Sequence, residues 1–209
     1  MSGHFITFEG IDGCGKTTQR RLTAAWLREQ GFDVLETFEP GDTALGAEIR
    51  TLLLSGEHVP SPETELLLFL ADRTQHVREL IQPALQRGAI VLCDRYTDST
   101  RAYQLAGRAL DADMLEAMLQ IAELGAKPEM TLWFDLPVKE ACGRMQARVA
   151  IGEAATRLDE EGQSFHERVR EGFSAIHAAQ PERVRCVNAS AGVETVQQQI
   201  RQLLTELIG

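Results

Sequence analysis

The chain has 209 residues, 44% of them hydrophobic and 25% charged, a balance that supports one continuous core and excludes disordered or repetitive chains. Its formal charge is −10, so the protein as a whole repels polyanions; this argues against sequence-independent binding to nucleic acid and requires any phosphate to be met locally. No stretch approaches the ~20 apolar residues of a membrane span, and the opening Met1-Ser2-Gly3-His4-Phe5 lacks a basic region or a long apolar run. The expectation is a cytoplasmic protein without a membrane partner.

Phe5-Ile6-Thr7-Phe8 is a β-prone run that stops at Glu9-Gly10, and Lys16 to Gln30 is helix-favouring and closed by Gly31. Asp33 to Thr37 reads as a second strand, followed by the turn signal Glu39-Pro40-Gly41-Asp42 and a helix from Ala44 to Leu54. Ser61-Pro62 is a cap and first-turn pair for a long helix, apolar on one side from Glu65 to Gln86, with a kink expected at Pro83. Ala89 to Cys93 is continuously apolar and ends in Asp94-Arg95, as for a strand buried on both faces, with Asp94 at its carboxyl end. Met130 to Leu136 repeats the pattern, Val184 to Val187 gives a weaker strand, and Val193 to Ile208 a last helix. This β-α alternation predicts a parallel sheet covered by helices on both faces, with ligands beyond the carboxyl ends of the strands.

The four cysteines, Cys14, Cys93, Cys142 and Cys186, form no CxxC pair and have no histidine at zinc spacing, so no structural metal is expected. His4, His58, His76, His166 and His177 share no motif with a nucleophile, which leaves a hydrolytic triad without support. His76 lies one turn beyond Arg73 and reads as a partly exposed helix histidine.

Gly10-Ile11-Asp12-Gly13-Cys14-Gly15-Lys16-Thr17 fits G-x-x-x-x-G-K-[ST] at every fixed position, between a strand and a helix. The glycines let backbone N–H groups turn around phosphate oxygens, the helix N-terminus adds partial positive charge, Lys16 reaches the β- and γ-phosphates, and Thr17 can ligate Mg²⁺, with Thr18 next in line. The fold class is therefore an α/β P-loop NTPase three-layer sandwich, read as a single domain over 1–209. A regulatory GTPase would need an Asn-Lys-x-Asp element, which this chain lacks. A small kinase needs a second anion site, and Arg95, just past a buried strand, suits bidentate phosphate binding. The alternative is a surface arginine paired with Asp94 or Asp98.

Together, Phe8 to Thr18, Glu39-Pro40-Gly41, Leu68-Phe69-Leu70-Ala71-Asp72-Arg73, Asp94-Arg95-Tyr96 and Ser99-Thr100-Arg101-Ala102-Tyr103-Gln104 resemble the bacterial thymidylate kinases, in order and spacing, over nearly the whole chain. The resemblance implies transfer of the γ-phosphoryl group of ATP to dTMP with Mg²⁺, and a homodimer. It implies that Phe69 stacks on thymine and Arg73 donates to a base carbonyl, that Asp12 accepts from the sugar 3′-hydroxyl, and that Arg95 holds the dTMP phosphate. Ser99, Thr100 and Gln104 would edge the base, and Tyr103 would pack beneath the sugar. Without the resemblance, Phe69 and Tyr103 read as ordinary partly buried aromatics and Arg73 as a solvated arginine.

Gly13 stands where some thymidylate kinases carry a P-loop arginine, which directs attention to a lid over about 148–160, with Arg148 and Arg157 as the arginines that stabilise transition-state charge. Arg144 reads as part of a solvated helix face, and Phe173 as either the far wall of the dTMP site or core. Two departures stand out: Phe38 replaces the arginine usual before Glu-Pro-Gly, and Asp42 follows the glycine, so a phosphate-proximal charge is missing. The dimer interface is read as either the helix around Leu66 to Leu70 or that around Met114 to Leu124. The competing functions are kinases of other nucleosides or nucleoside monophosphates, and a nucleotide-binding switch without kinase activity.

Overall fold

A computed structural model describes residues 3–55, 57–150, 152, 156–158 and 161–208, except for the side chain of Arg148. In chain order the elements are β1 (His4–Glu9), α1 (Lys16–Glu29), β2 (Val34–Phe38), α2 (Ala44–Leu54), α3 (Pro62–His76), α4 (Gln82–Gln86) and β3 (Ile90–Asp94). There follow α5 (Thr97–Thr100), α6 (Ala112–Ala122), β4 (Met130–Asp135), α7 (Val138–Ala150), α8 (Gln163–Ala179), β5 (Val184–Asn188) and α9 (Val193–Ile208). All described strand pairs are parallel and the sheet order is β2-β3-β1-β4-β5. The strand carboxyl ends therefore share one edge, where the phosphate loop and Asp94-Arg95 also emerge. The expected strands are all present, with ends moved by at most one residue.

Period-2 alternation in β1 and β3 builds two separate cores. Ile6, Phe8 and Leu92 face a cluster with Leu132, Phe134, Val169 and Ile200, whereas Phe5, Val91 and Cys93 face another with Val77, Ile81 and Tyr96. Helices thus cover both faces, as the near-continuous apolar strands require. Thr7 escapes the cost of a buried hydroxyl by hydrogen bonding to Thr131 at 2.8 Å. Cys93 is free and buried in the core, as its apolar surroundings suggest.

The kink expected at Pro83 takes a different form. Residues Val77–Ile81 form a π-helical turn that joins α3 to α4. Pro83 carries no N–H and its ring crowds the carbonyl four residues earlier, and a widened turn just ahead of it relieves both. A second π segment, Arg101–Gly107, prolongs α5. Ser61 caps α3 as expected, its side chain accepting from the backbone N–H of Thr64. Among the described residues no helix is long and apolar enough to cross a membrane.

Candidate active site

The loop after β1 depends on glycine. Gly10, Gly13 and Gly15 have φ of 141°, 80° and 95°, and a Cβ at Gly10 or Gly13 would sit 2.7 Å from the Phe134 carbonyl oxygen or 2.6 Å from that of Ala141. Gly15 leads into α1 without a side-chain cap, which leaves the first N–H groups of that helix available to an anion. Lys16 is buried and donates to the carbonyls of Gly10 and Ile11, both at 3.0 Å. Its ammonium is thus stored inside the curl of the loop. The Thr17 hydroxyl donates to Asp94 Oδ2 at 2.7 Å, which joins the loop to the end of β3.

Across the strand ends stands Arg95, a non-glycine residue held at φ 71°, a conformation that costs energy and persists only where its surroundings impose it. Its guanidinium donates to Asp12 Oδ1 at 2.8 Å, to Ser99 Oγ at 3.0 Å and to the Tyr103 hydroxyl at 3.2 Å, and lies 5.0 Å above the Tyr103 ring. The pairing with Asp94 or Asp98 that would mark a surface arginine does not occur; Asp98 pairs instead with Arg101 and Arg183. Burial pushes the Asp12 carboxyl up, but Arg95 and Lys16 outweigh it and hold the group well below the usual carboxylate range. The result is a fixed, charged pair that ties Arg95, just past β3, to Asp12 within the phosphate loop.

Behind this pair, Glu9 is wholly buried, accepting the Tyr96 N–H at 2.7 Å and the Ser99 hydroxyl at 2.5 Å. Burial, followed by the charge of Asp98, pushes its carboxyl up to about 7 from 4.5. The folded state thus keeps a proton that the unfolded chain releases, so this contribution to stability is complete below about pH 4.5 and is lost as pH rises through about 7. Glu9→Gln, neutral throughout, is expected to remove this loss, changing the stability difference between pH 5 and pH 8 by up to about 3 kcal/mol. Urea unfolding at both pH values tests it, and an identical pH response in wild type and variant would overturn it.

On the other side of the cleft, α3 presents Phe69, half-buried, and Arg73, 2% exposed. Arg73 is not solvated. It donates to Glu39 at 2.8 Å and to the Thr100 hydroxyl at 2.9 Å, and its guanidinium lies 4.9 Å above the Tyr96 ring. His76 corrects the expectation of partial exposure: it is fully buried, with Nδ1 2.8 Å from Glu39 and Nε2 2.5 Å from Thr37 Oγ1. The helix face that carries Arg73 stays buried one turn later, and Glu39 holds both residues.

A cleft of about 1040 Å³ joins these groups, lined by the phosphate loop from Asp12 to Thr18 and by Phe69, Arg73, Arg95 and Ser99. Thr100, Tyr103 and Gln104 complete the wall beside Phe69. Gly10 and Ile11 enter the site through the carbonyls that hold Lys16.

Two lining residues, Arg50 and Glu39, were missed by the sequence reading. Arg50 packs its guanidinium 5.7 Å above the Phe38 ring and donates to the Pro40 carbonyl at 2.7 Å; burial and the nearby charge of Arg95 draw its pKa down. A cation thus stands beside the very position where Phe38 removed one. The only sequence signal was a lone arginine on α2. Asp42 turns away, accepting from Thr37 at 2.5 Å. Segment 189–193 also lines the cleft, again without a sequence signal.

The lid residues divide. Arg148 lies on α7, and its side chain is outside the described residues. Arg157 is not brought to the phosphate loop: its guanidinium pairs with Glu65 and donates to the Leu53 carbonyl at 3.2 Å, and its N–H binds the Leu54 carbonyl. The reason is electrostatic, since Glu65 is a 1% exposed carboxylate that must be paired. Thr156 and Leu158 on either side do line the cleft. Arg144 is exposed as expected, yet it reaches the cleft, donating to the Ala189 carbonyl at 3.1 Å. Phe173 is core.

The arrangement brings a glycine loop at a helix N-terminus, a fixed arginine and the partly apolar wall around Phe69 into one cleft. Comparison with known proteins agrees with that geometry. Residues 8–200 match the family model described as thymidylate kinase. The thymidylate kinase of Thermomicrobium roseum is 48% identical over 204 residues, covering 98% of this chain and 95% of its own. That of Pseudomonas fluorescens is 46% identical, covering 100% and 98%. The crystal structure of thymidylate kinase from Ehrlichia chaffeensis superposes with a TM-score of 0.80 at 31% identity, over 98% of this chain and 100% of that one. With residues 8–200 matching the family model and relatives 48% and 46% identical over nearly all of its length, the chain belongs to the thymidylate kinase family.

Proposed function

We propose that this protein transfers the γ-phosphoryl group of ATP to the phosphate of dTMP, forming dTDP and ADP. The observation that carries the reading is the 2.8 Å pair between Arg95 and Asp12 of the phosphate loop, in the cleft that Phe69 and Arg73 also line. The loop N–H groups and Lys16 hold the donor phosphates. Arg95 takes the acceptor phosphate in bidentate fashion, with Arg50 as a second cation. Asp12, kept ionised, accepts from the sugar 3′-hydroxyl, and Tyr103 closes the space beneath the sugar. Phe69 stacks on thymine, while Arg73 and Thr100 meet its polar edge together with Ser99 and Gln104.

The Thr17 hydroxyl and the Asp94 carboxylate, adjacent hard oxygen donors, fit Mg²⁺. When bound, this ion neutralises charge on the transferring phosphate. An acceptor phosphate is already ionised near pH 7, so these residues need no strong base; they align the reactants and compensate charge. Arg148, on a lid over 148–160, supplies the remaining cation, and Arg157 serves it by anchoring that lid. The chain works as one domain over 1–209 in the cytoplasm.

The partner beyond substrates is a second copy of the chain. α3 and α6 pack together through Leu66, Leu70, Leu115 and Leu119, leaving Leu67 54% and Ile121 73% exposed; covering such residues favours association. Leu67→Glu with Ile121→Glu is expected to give a monomer by sedimentation, and an unchanged sedimentation coefficient would remove this interface.

The deciding assay is Mg²⁺-dependent ADP formation with dTMP, dUMP, dCMP, dGMP and AMP as separate acceptors. Turnover with dTMP far above the others is expected. ATP binding without acceptor-dependent turnover would sink the kinase reading.

A further inference from the structure

Glu65 sits on α3 one turn before Phe69 and is 1% exposed, although it lies outside the cleft itself. Its carboxylate gathers three donor side chains. Gln104 Nε2 donates to Oε1 at 3.1 Å, and Arg108 donates to Oε1 at 3.2 Å and Oε2 at 3.3 Å. Arg157 pairs with Oε2, and Arg108 is also held by Glu161 at 2.7 Å. Burial pushes the Glu65 carboxyl up, but the hydrogen bonds from Arg108 and Arg157 lower it overall, so the group is an ionised acceptor that has no proton to donate.

That one-sidedness has a consequence for Gln104, which is 2% exposed and lines the cleft next to Phe69 and Arg73. A carboxamide has two faces of opposite character, an NH₂ donor and a carbonyl acceptor, and an unrestrained glutamine can present either. A carboxylate at 3.1 Å can be met only by the NH₂. The carbonyl Oε1 of Gln104 is thereby left for the ligand, together with the second Nε2 hydrogen.

We propose that Glu65 is a positioning residue for base selection: by capturing the amide NH₂ of Gln104 it presents the amide carbonyl to the base edge. A pyrimidine with a protonated N3 flanked by carbonyls, as in thymine and uracil, donates to that carbonyl. Cytosine offers an unprotonated N3 and sets acceptor against acceptor, with the Gln104 carbonyl desolvated and unpaired. Arg108 and Arg157 keep Glu65 charged and in place, so the segment around Arg157 also secures the orientation of a residue at the base. This inference rests on the placement of the base beside Phe69 and Gln104 proposed above.

The test compares kcat/KM for dTMP and for dCMP in the full chain and in Gln104→Leu, Glu65→Gln, Glu65→Asp and the double variant Glu65→Gln with Gln104→Leu, with a thermal melt for each. Gln104→Leu is expected to reduce the dTMP:dCMP ratio; an unchanged ratio there removes the base-site reading and this inference with it. Given that reduction, Glu65→Gln lets the amide turn over and is expected to lower the ratio about 10-fold, through KM for dTMP, with kcat held close to wild type. Glu65→Asp keeps the charge for the arginines but draws the carboxylate away from Gln104. The same fall is expected, and this variant provides the readout should Glu65→Gln fail to fold. In the double variant no further fall beyond Gln104→Leu is expected. A wild-type ratio in either folded Glu65 variant, or additive losses in the double variant, would overturn the proposal, because general loosening of the fold weakens both substrates and leaves their ratio in place.

Discussion

Arg95→Ala is expected to lower kcat/KM for dTMP by about 10³-fold, the cost of removing one partner from a half-buried, hydrogen-bonded charge pair and, with it, the bidentate grip on phosphate. The loss extends beyond the substrate, because Asp12 Oδ1 loses its 2.8 Å donor and Ser99 loses one of its two partners. Asp12 is held below its ordinary range in the folded state, so its contribution to stability is present above the usual carboxylate pKa and is lost as pH falls through the depressed one. Arg95→Ala should therefore destabilise the protein at pH 7 more than at pH 3, and the two effects separate cleanly in urea unfolding at these pH values and steady-state kinetics. Arg95→Lys keeps a charge but not the planar fork, and should recover only a small part of the activity. Turnover close to wild type in the alanine variant would remove Arg95 from the acceptor site.

Lys16→Met is expected to reduce kcat by about 10²- to 10³-fold, as for loss of one preorganised group that stabilises developing charge, while KM for dTMP changes little. The reason is geometric. Lys16 is held by the Gly10 and Ile11 carbonyls on the donor side of the cleft, and the acceptor groups Arg95, Arg73 and Phe69 lie on the other. A variant that instead raised KM for dTMP at unchanged kcat would place Lys16 in acceptor binding and reverse the assignment of the two ends of the cleft.

Residues whose chemistry is local in sequence were legible before the structure. The phosphate loop is one continuous stretch between a strand and a helix, so motif, turn geometry and helix terminus coincide. The strand ends slipped because apolar runs do not mark where pairing stops. Residues whose role depends on a distant partner were not legible. Arg50 acquires its place from Phe38 and Pro40, and Glu39 from Arg73 and His76, more than 30 residues away. For Arg157 the glycine and small residues before it suggested a mobile lid, but its guanidinium answers a carboxylate 92 positions earlier, which no local pattern encodes. The π segments have no sequence period of their own, so the seating of Tyr103 and Gln104 emerged only from the backbone.

The strand order bears on synthesis as well as on binding. β1 is made first, yet it is central, and its partners are β3, beginning at Ile90, and β4, beginning at Met130. A nascent chain therefore carries Phe5-Ile6-Thr7-Phe8, together with the phosphate loop, unpaired until most of the polypeptide has left the ribosome. The sheet closes late, with β3 inserting between β1 and β2, both made before it, and long-range parallel pairing of this kind is slow. The segment proposed to hold the donor phosphates is thus also the one exposed longest to wrong partners, and the acquisition of ATP affinity by stalled chains of increasing length would report when the central strand is finally flanked on both sides.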